Sequence, residues 1–279
     1  MEWKITTLIE NHEDREGCLC AEHGLSLLIE GRDFRMLLDT GQSGAFYKNA
    51  KQMGVSFEHL DCVLISHGHY DHAGGLLTFL KEEKKPVKLY VGEGFFSQKY
   101  HEKKEKGIRY IGIPFSKEDL APYGVELCEI TEDRKEIHPG VTLFRNFTHT
   151  EPFEAWNPGF LIKNEEGKYK EDHFTDEIAV GLDTDDGLVV LAGCSHPGII
   201  NMLHTIEKRS GKKIYGVIGG THLVEADEHR LFKTMEEMKK MGIQLIGVSH
   251  CTGEENIRKI SDYFGTDFVM NCTGNVIEI

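Results

Sequence analysis

A dense group of histidine and aspartate side chains, placed directly after a short apolar segment, limits what this chain can fold into. The segment Asp61–Ile65 has the apolar character of a buried strand, and the run Ser66–His72 begins where it ends. His67 and His69 are separated by one residue, so on an extended backbone their side chains project to the same side. Two imidazoles arranged in this way can bind one cation, and the run therefore predicts a metal site at the end of a strand.

Asp71 and His72 continue the same run into the predicted turn before the next helix. We expect these groups to serve two adjacent metals, with His67 and His69 on one ion and Asp71 and His72 on the other. Imidazole and carboxylate ligands suit zinc, manganese and iron, so two divalent ions are expected, with zinc as the first choice and manganese or iron as alternatives. A surface turn that is merely rich in histidine is the competing interpretation, and the density of the run argues against it.

Composition and charge exclude several classes of function. The 279 residues suffice for a substantial core, and no apolar run is long enough to span a bilayer. The N-terminus lacks the basic and apolar segments of a signal peptide, so a cytoplasmic protein without membrane contact is expected. The formal net charge of −14 makes nucleic acid an unfavourable partner. The seven cysteines include no CxxC pair, which argues against a zinc ribbon.

The order of the predicted elements indicates one domain of layered sheets and helices. Near the start, Leu25–Glu30 and Phe34–Leu38 form a hairpin pattern around a Gly-Arg-Asp turn. The last third alternates strands with helices. Its predicted strands are Leu188–Ala192, Lys213–Ile218, Ile243–Val248 and Asp267–Met270, and its predicted helices are Ile199–Arg209, Ala226–Lys240 and Glu254–Phe264. We expect a single α/β (α+β) domain over residues 1–279.

Two less regular segments are expected to shape the site. Residues 95–139 contain glycines, prolines and dense charge, and are predicted to be an insertion. Residues 148–176 form a long polar stretch that holds several aromatic side chains. Long loops in compact domains are usually functional or disordered, and the aromatic content favours an active-site loop.

Three histidines of the last third occupy equivalent positions, each just after a predicted strand. They are His196, His222 and His250. Strand ends in such layers aim side chains into one crevice, so these histidines are candidate ligands from the far side of the site. Taken alone, each is also compatible with a hydrogen-bonded core histidine.

The pattern His67-x-His69-x-Asp71-His72 after an apolar strand resembles the signature of the metallo-β-lactamase superfamily. Further similar motifs indicate one branch of it, which includes a synthase of the methanopterin pathway. Those motifs are Glu22–Ser26, Gly193–Ile199, Gly219–Leu223 and His250–Gly253. The resemblance implies a four-layer αββα sandwich. Asp39-Thr40-Gly41 matches the upstream element that supports the site in that superfamily, which implies a supporting role for Asp39.

The resemblance leaves two ligands open. In the superfamily a histidine in a His-Thr-x-Gly-like turn precedes the strand Leu188–Ala192, and His149 matches that turn only in part. A bridging aspartate usually follows the glycine at the end of that strand, and Cys194 stands there instead. Cys194 is either a bridging thiolate or a small buried residue, and we favour His196 as the ligand in this region. His222 aligns with the final superfamily ligand.

The turn His250–Gly253 has two interpretations of equal weight. His250 is either a further metal ligand or a catalytic contact to the substrate. In the second case it would act with Thr252 and Gly253 as a phosphate-binding turn, because a histidine and free backbone N–H groups both favour an anion. The helix that begins after Gly253 would add a favourable dipole. Thr252 is equally compatible with a helix N-cap.

The function expected from the residues and the resemblance is that of a metal-dependent hydrolase or transferase with a small phosphate-bearing substrate. A metal-activated hydroxide would attack, or the metals would polarise a phosphate or diphosphate group, and Asp71 would orient the hydroxide. If the likeness to the synthase extends to its reaction, diphosphate is displaced. A non-catalytic metal-binding or sensor protein on the same fold is the alternative. The sequence predicts no oligomeric state.

Overall fold

The computed structural model describes residues 2–14, 16–103, 106–164 and 166–279. Within these ranges the strands are, in chain order, β1 (Lys4–Ile9), β2 (Ser26–Glu30), β3 (Arg35–Leu38), β4 (Cys62–Leu64), β5 (Lys88–Gly92), β6 (Lys99–Lys103), β7 (Gly107–Tyr110), β8 (Glu126–Ile130), β9 (Arg134–His138), β10 (Val141–Phe144), β11 (Phe160–Lys163), β12 (Tyr169–Glu171), β13 (Ala179–Asp183), β14 (Leu188–Ala192), β15 (Ile214–Gly220), β16 (Leu245–Ser249) and β17 (Val276–Glu278). The α-helices are α1 (Ala45–Gln52), α2 (Tyr70–Ala73), α3 (Leu76–Glu83), α4 (Ile199–Ser210), α5 (Glu228–Lys240) and α6 (Glu254–Phe264). Short 3₁₀ helices cover Glu118–Tyr123, His250–Thr252 and Gly265–Asp267. None of the helices in the described ranges has the length and apolar character needed to cross a membrane.

Two large sheets form the centre of the fold. The first has the strand order β17-β1-β2-β3-β4-β5-β8, and the second has the order β16-β15-β14-β13-β10-β9. The predicted hairpin is confirmed, since β2 pairs antiparallel with β3 and Glu30 lies opposite Arg35. The first sheet is parallel from β3 to β8, and β14, β15 and β16 are parallel neighbours in the second. The parallel strands matter for the site because their carboxyl ends meet at one edge of each sheet.

The alternation of side chains along the strands explains the layers. In β2, Leu27 and Ile29 pack into the core between the sheets, whereas Leu28 packs against the helices outside the first sheet. In β14, Val189 and Leu191 join the core between the sheets, and the residue between them packs on the helical side of the second sheet. Each sheet is thus covered by the other sheet on its inner face and by helices on its outer face. The predicted four-layer αββα sandwich is confirmed.

One predicted strand of the last third is wrong. Residues 267–270 form no strand: the 3₁₀ helix Gly265–Asp267 leads into them, and a single bridge joins Phe268 to Ile246. Gly265, the first residue of this 3₁₀ helix, has a left-handed backbone (φ +57°) and turns the chain away from α6. The following strand is instead β17, which pairs antiparallel with β1 and places Ile277 in the core between the sheets.

A third, small sheet lies beside the histidine run. Its strand order is β12-β11-β6-β7, so it combines strands from the two segments expected to shape the site, residues 95–139 and 148–176. The remaining strands of the first segment, β8 and β9, extend the two large sheets. After β7 the chain returns to the histidine run, where Gly112 forms a bridge with His69. The small sheet is therefore a wall of the site.

A buried ion triplet fastens this small sheet to the histidine run. The ammonium group of Lys99, on β6, lies 2.7 Å from a carboxylate oxygen of Asp172 and 2.8 Å from one of Asp176. The other carboxylate oxygen of Asp176 accepts a hydrogen bond of 2.7 Å from the backbone N–H of Gly68. All three charged side chains are buried. Buried charges are stable only when ion pairs and hydrogen bonds compensate their loss of hydration, as they do for all three here.

Replacement of Lys99 by methionine is expected to lower the free energy of unfolding by about 3–5 kcal/mol, because two buried carboxylates lose their counter-charge. Chemical denaturation followed by circular dichroism measures the change. Lys88→Met is the matched control, since Lys88 forms an exposed ion pair with Glu126 at 3.6 Å and exposed pairs contribute at most about 1 kcal/mol. A loss for Lys99→Met no larger than that of the control would contradict the anchoring role.

A second buried carboxylate joins the 148–176 segment to α4. Gly198, the residue before α4, has no side chain to cap the helix. Glu154 caps it instead and accepts hydrogen bonds from the backbone N–H groups of Ile200 (3.0 Å) and Asn201 (2.8 Å). Burial raises the pKa of Glu154 to about 7, although the two N–H donors act in the opposite direction. The docking of this segment therefore depends on pH.

Stability should follow the protonation of Glu154. Its pKa of about 7 in the folded protein lies above the ordinary value of 4.5, so its contribution to stability is lost as the pH rises from 4.5 through 7. Glu154→Gln keeps an acceptor but cannot ionise. The free energy of unfolding of this variant, relative to that of the natural protein, should therefore increase as the pH rises through this window. Denaturation curves on both sides of the window measure the difference, and a difference independent of pH would count against this account.

Candidate metal centre

The histidine run leaves the carboxyl end of β4 and is held from behind by Asp39, at the end of the parallel strand β3. Asp39 accepts hydrogen bonds from the backbone N–H of Ser66 (2.6 Å) and from its hydroxyl group (2.8 Å). The same carboxylate lies 2.6 Å from Nδ1 of His72. The backbone of Asp39 is left-handed (φ +61°), which is uncommon outside glycine. Asp39 thus orients the ring of His72 and contacts the start of the run.

Two ring nitrogens at the start of the run face each other. Nε2 of His67 lies 3.0 Å from Nδ1 of His69, and both side chains are buried. The hydroxyl of Ser66 lies 3.0 Å from Nδ1 of His67, which directs Nε2 of that ring toward His69. Burial lowers the pKa of both histidines well below the ordinary value. They are therefore neutral, which is the form that binds a metal.

The second half of the run is directed to a different point. Nε2 of His72 lies 3.1 Å from Sγ of Cys194 and 3.7 Å from a carboxylate oxygen of Asp71. The same oxygen of Asp71 is 3.3 Å from Nε2 of His250 and 3.2 Å from Nε2 of His23. Burial opposes the ionisation of Asp71, but His72 and the hydrogen bonds from His23 and His250 hold its pKa well below the ordinary value. Asp71 is therefore an anionic donor.

The three histidines at the strand ends of the last third converge on this run. His196, His222 and His250 follow β14, β15 and β16, which are parallel neighbours in the second sheet. His222 and His250 have left-handed backbones (φ +48° and +54°), as does Ser195 (φ +61°). Such conformations are strained in residues that carry a side chain, and they concentrate at functional sites.

Three sets of donor atoms in the described part of the chain are close enough to hold an ion, and Cys194 belongs to each. The sets are His67, Cys194 and His196; Asp71, His72, Cys194 and His250; and Cys194, His222 and Cys251. Within a set the donor atoms lie within 4.8 Å of one another. His250 rather than His222 completes the second set, which differs from the alignment expected from the sequence. His149 belongs to none of the sets and packs on Trp156, with 3.9 Å between ring centroids.

The chemistry of these donors fits divalent metals. Nε2 of His196 and both ring nitrogens of His222 are buried without a hydrogen-bond partner among the described residues. A buried polar atom without a partner is costly, and a bound cation would satisfy it. Burial also lowers the pKa of His196 well below the ordinary value, so its ring is neutral and able to bind. Imidazole, carboxylate and thiolate are together the ligands that zinc prefers in proteins.

A buried carboxylate that sequence reasoning missed holds His196 in place. Glu177 accepts hydrogen bonds from the backbone N–H groups of Ser195 (2.6 Å) and His196 (3.0 Å). Burial raises the pKa of Glu177 to about 8, against the effect of these donors. Phe174 stacks on the ring of His196 with 4.0 Å between centroids. No motif marks Glu177, because its partners lie on a different loop.

His23 and Asn11 also reach the centre, and the sequence assigned them no role. His23 contacts Asp71, and its ring lies 5.1 Å from that of His250. Oδ1 of Asn11 lies 2.8 Å from Nδ1 of His250 and orients that ring. The motif Glu22–Ser26 was an available signal for His23, whereas Asn11 had none.

The turn after β16 does not present all its predicted substrate contacts to solvent. Thr252 is buried, and its hydroxyl donates to the carbonyl oxygen of Ser249. Gly253 lines the pocket described below. The helix that begins after Gly253 carries Glu254 and Glu255 in its first turn, and their charges oppose the binding of an anion there.

A pocket of about 580 Å³ opens onto the donor sets. Phe160 and His101 form a flat part of its wall, stacked with 4.4 Å between ring centroids. The β6–β7 hairpin adds three cationic side chains, Lys103, Lys106 and Arg109. In a chain with a net charge of −14, this group of cations marks a place where an anion is attracted.

Comparison with known proteins agrees with this geometry. The model of the metallo-beta-lactamase superfamily matches residues 21–196. The chain is 32% identical to the 7,8-dihydropterin-6-methyl-4-(beta-D-ribofuranosyl)-aminobenzene-5'-phosphate synthase of Methanocaldococcus jannaschii, over 99% of this chain and 96% of that protein. An uncharacterised protein of the same organism is 30% identical, over 93% and 94% of the two chains.

A solved structure shows the same likeness in three dimensions. The crystal structure of Tm1679, a metal-dependent hydrolase of the beta-lactamase superfamily, matches with a TM-score of 0.84 and 30% identity and covers 99% of each chain. The fold of these proteins implies that divalent metals are bound, in agreement with the donor sets described above. The chain therefore belongs to the metallo-beta-lactamase superfamily, in the branch that includes the synthase of Methanocaldococcus jannaschii.

Proposed function

We propose that this chain is a two-metal enzyme that acts on a small phosphate-bearing substrate, by hydrolysis or by transfer with diphosphate as the leaving group. The observation that carries the proposal is the presence of Lys103, Lys106 and Arg109 in the same pocket as the donor sets. An anionic substrate that extends from the centre to this hairpin would be attracted at both ends. The hairpin replaces the turn after β16 as the proposed phosphate site.

Two metal ions are proposed, and zinc suits their donors. One ion would take three neutral imidazoles and the other a carboxylate with two imidazoles, and one thiolate would be shared. In that order the ligands are His67, His69 and His196; Asp71, His72 and His250; and Cys194. His69 belongs to none of the donor sets and is included because its Nδ1 lies 3.0 Å from Nε2 of His67. The shared thiolate favours zinc over manganese, which prefers oxygen ligands. Bound ions of this kind polarise a phosphate group and make a nucleophile available at neutral pH.

His23 is the proposed proton donor to the leaving group. Its side chain is 52% exposed, lines the pocket and lies 3.2 Å from a carboxylate oxygen of Asp71. The hydrogen bond to Asp71 raises the pKa of His23 above the ordinary value of 6.5, in spite of partial burial. A histidine at the surface where a substrate would enter can donate a proton to a leaving group.

The relative from Methanocaldococcus jannaschii supports transfer as one of the two reactions, since its name describes a synthase whose product carries a 5'-phosphate. Transfer and hydrolysis differ in whether an aminobenzoate-type acceptor or water takes the group. A non-catalytic sensor needs no substrate cavity beside its metals. The donor sets of this chain open onto a pocket of about 580 Å³, which supports an enzyme instead.

Metal analysis and a substrate screen test the proposal together. The screen covers phosphomonoesters, phosphodiesters and diphosphates, each with and without an aminobenzoate acceptor. We expect two divalent ions per chain, and a release of phosphate or diphosphate that stops when the metal is chelated. Turnover that survives complete removal of metal would overturn the proposal, as would a metal-loaded protein that is inert toward every phosphate class.

His67→Ala and Asp71→Ala should each lower turnover by at least about 100-fold. Loss of a residue that only hydrogen-bonds to a metal ligand already lowers activity by about 10–100-fold, and these two residues are proposed ligands. Circular dichroism should show that both variants keep the fold. His204→Ala is the matched control, since His204 lies on α4 with Nδ1 3.3 Å from a carboxylate oxygen of Glu151 and does not line the pocket. Full turnover in both variants would show that the histidine run is not catalytic.

The double variant Lys106→Ala, Arg109→Ala should bind inorganic diphosphate about tenfold or more weakly in the metal-loaded protein, since a hydrogen bond to a charged group contributes about 1.5–3 kcal/mol. Its affinity should also depend less on salt. Titration calorimetry measures both effects. Lys168→Ala is the control, because Lys168 is exposed between β11 and β12 and pairs with Glu166 at 2.8 Å. Equal affinities in the double variant and the natural protein would place the phosphate elsewhere.

A further inference from the structure

Cys251 and His222 take no part in the two proposed metal positions, yet they lie beside them. Sγ of Cys251 lies 3.2 Å from the backbone nitrogen of His222 and 3.4 Å from the carbonyl oxygen of Cys194. The two cysteines are 6% and 3% exposed, and both line the pocket. Neither ring nitrogen of His222 has a hydrogen-bond partner in the part of the chain that the structure describes. The carboxylate of Glu225 is 4.0 Å from Nε2 of His222.

The three side chains have the spacing of a binding site. The thiol sulfurs of Cys194 and Cys251 and a ring nitrogen of His222 lie within 4.8 Å of one another. Bonds of about 2.0–2.3 Å to a shared ion would bring such donors slightly closer, which side-chain torsions can supply. Gly220 makes the approach possible, since a Cβ atom at that position would lie 2.6 Å from Sγ of Cys251.

We propose that Cys194, His222 and Cys251 form a further cation site at the pocket, selective for thiophilic divalent ions such as zinc and cadmium. Two thiolates and one imidazole are a softer donor set than either of the two proposed catalytic positions offers. Because Cys194 is shared, an ion in the further site takes this donor away from the catalytic pair. Excess zinc therefore inhibits the enzyme. The inhibition rests on the proposed function, whereas the binding of the ion does not.

Cadmium titration of the full chain tests the site, followed by equilibrium dialysis and by the ultraviolet absorbance of cadmium–thiolate bonds. The exposed Cys18 and Cys20 and the half-exposed Cys128 are first replaced by serine, so that they do not contribute. This protein should bind one cadmium ion beyond the proposed pair, with a rise in thiolate absorbance. Cys251→Ser and His222→Gln should each weaken the binding of that ion by at least about 100-fold. Loss of a group that only hydrogen-bonds to a metal ligand already lowers metal affinity by about 10–100-fold, and these residues are ligands themselves.

Cys62→Ala is the matched control, because Cys62 is equally buried but lies in the core between the sheets and should leave the additional ion in place. Saturation at two ions, or an additional ion whose affinity is unchanged in Cys251→Ser, would overturn the inference. Asp71→Ala distinguishes it from the proposed function, since this variant should lose an ion of the catalytic pair and keep the one that depends on Cys251. An inert enzyme that still binds a Cys251-dependent ion would refute the proposed function alone.

Discussion

The carboxylate of Asp39 is the group on which the rest of the site depends. Asp39 follows β3. Its carboxylate accepts hydrogen bonds from Ser66, which follows β4, and contacts the ring of His72, which lies on α2. A fully buried charge is stable only while its donors remain in place, so a shift of either element would leave it uncompensated. The position of His67 relative to His72 is thus set by a group that belongs to none of the donor sets.

Buried carboxylates hold three of the loops that meet this centre. Glu177 accepts a hydrogen bond from the backbone N–H of His196, and Glu10 accepts one of 2.6 Å from the backbone N–H of His250. Asp176 accepts a hydrogen bond from the backbone N–H of Gly68, in the first part of the histidine run. Because these acceptors bind the main chain, they fix the loop itself and not only one side chain. This explains how irregular loops, several with strained backbones, can aim their rings at one crevice.

The parts of this molecule that were predictable from sequence depend on residues close together in the chain. Asp61–Ile65 has the pattern of a buried strand and contains β4, and the alternating strands and helices from β14 to α6 were predicted from local patterns in the same way. The strands of the small sheet, which lie in segments 95–139 and 148–176, were not predicted. The predicted strand at 267–270 failed because the left-handed Gly265 starts a 3₁₀ turn there, and only Phe268 bridges to β16. The strand that does form, β17, pairs with β1, a contact between distant parts of the chain. The grouping of His250 with Asp71 has the same origin, since it depends on the spacing of strand ends in two different sheets.

The pairing of β1 with β17 also bears on the order in which the molecule can be completed during its synthesis. β1 is synthesised before both of its neighbours, β2 and β17, and the edge that pairs with β17 has no partner until that strand follows. Unpaired strand edges are templates for association with other chains, so a nascent chain carries this hazard for most of its elongation. The histidine run appears in the same interval without the residues that follow β14, β15 and β16. An ion that meets the chain before these residues are made would find the proposed set of ligands incomplete, so tight binding would follow the synthesis of the last third.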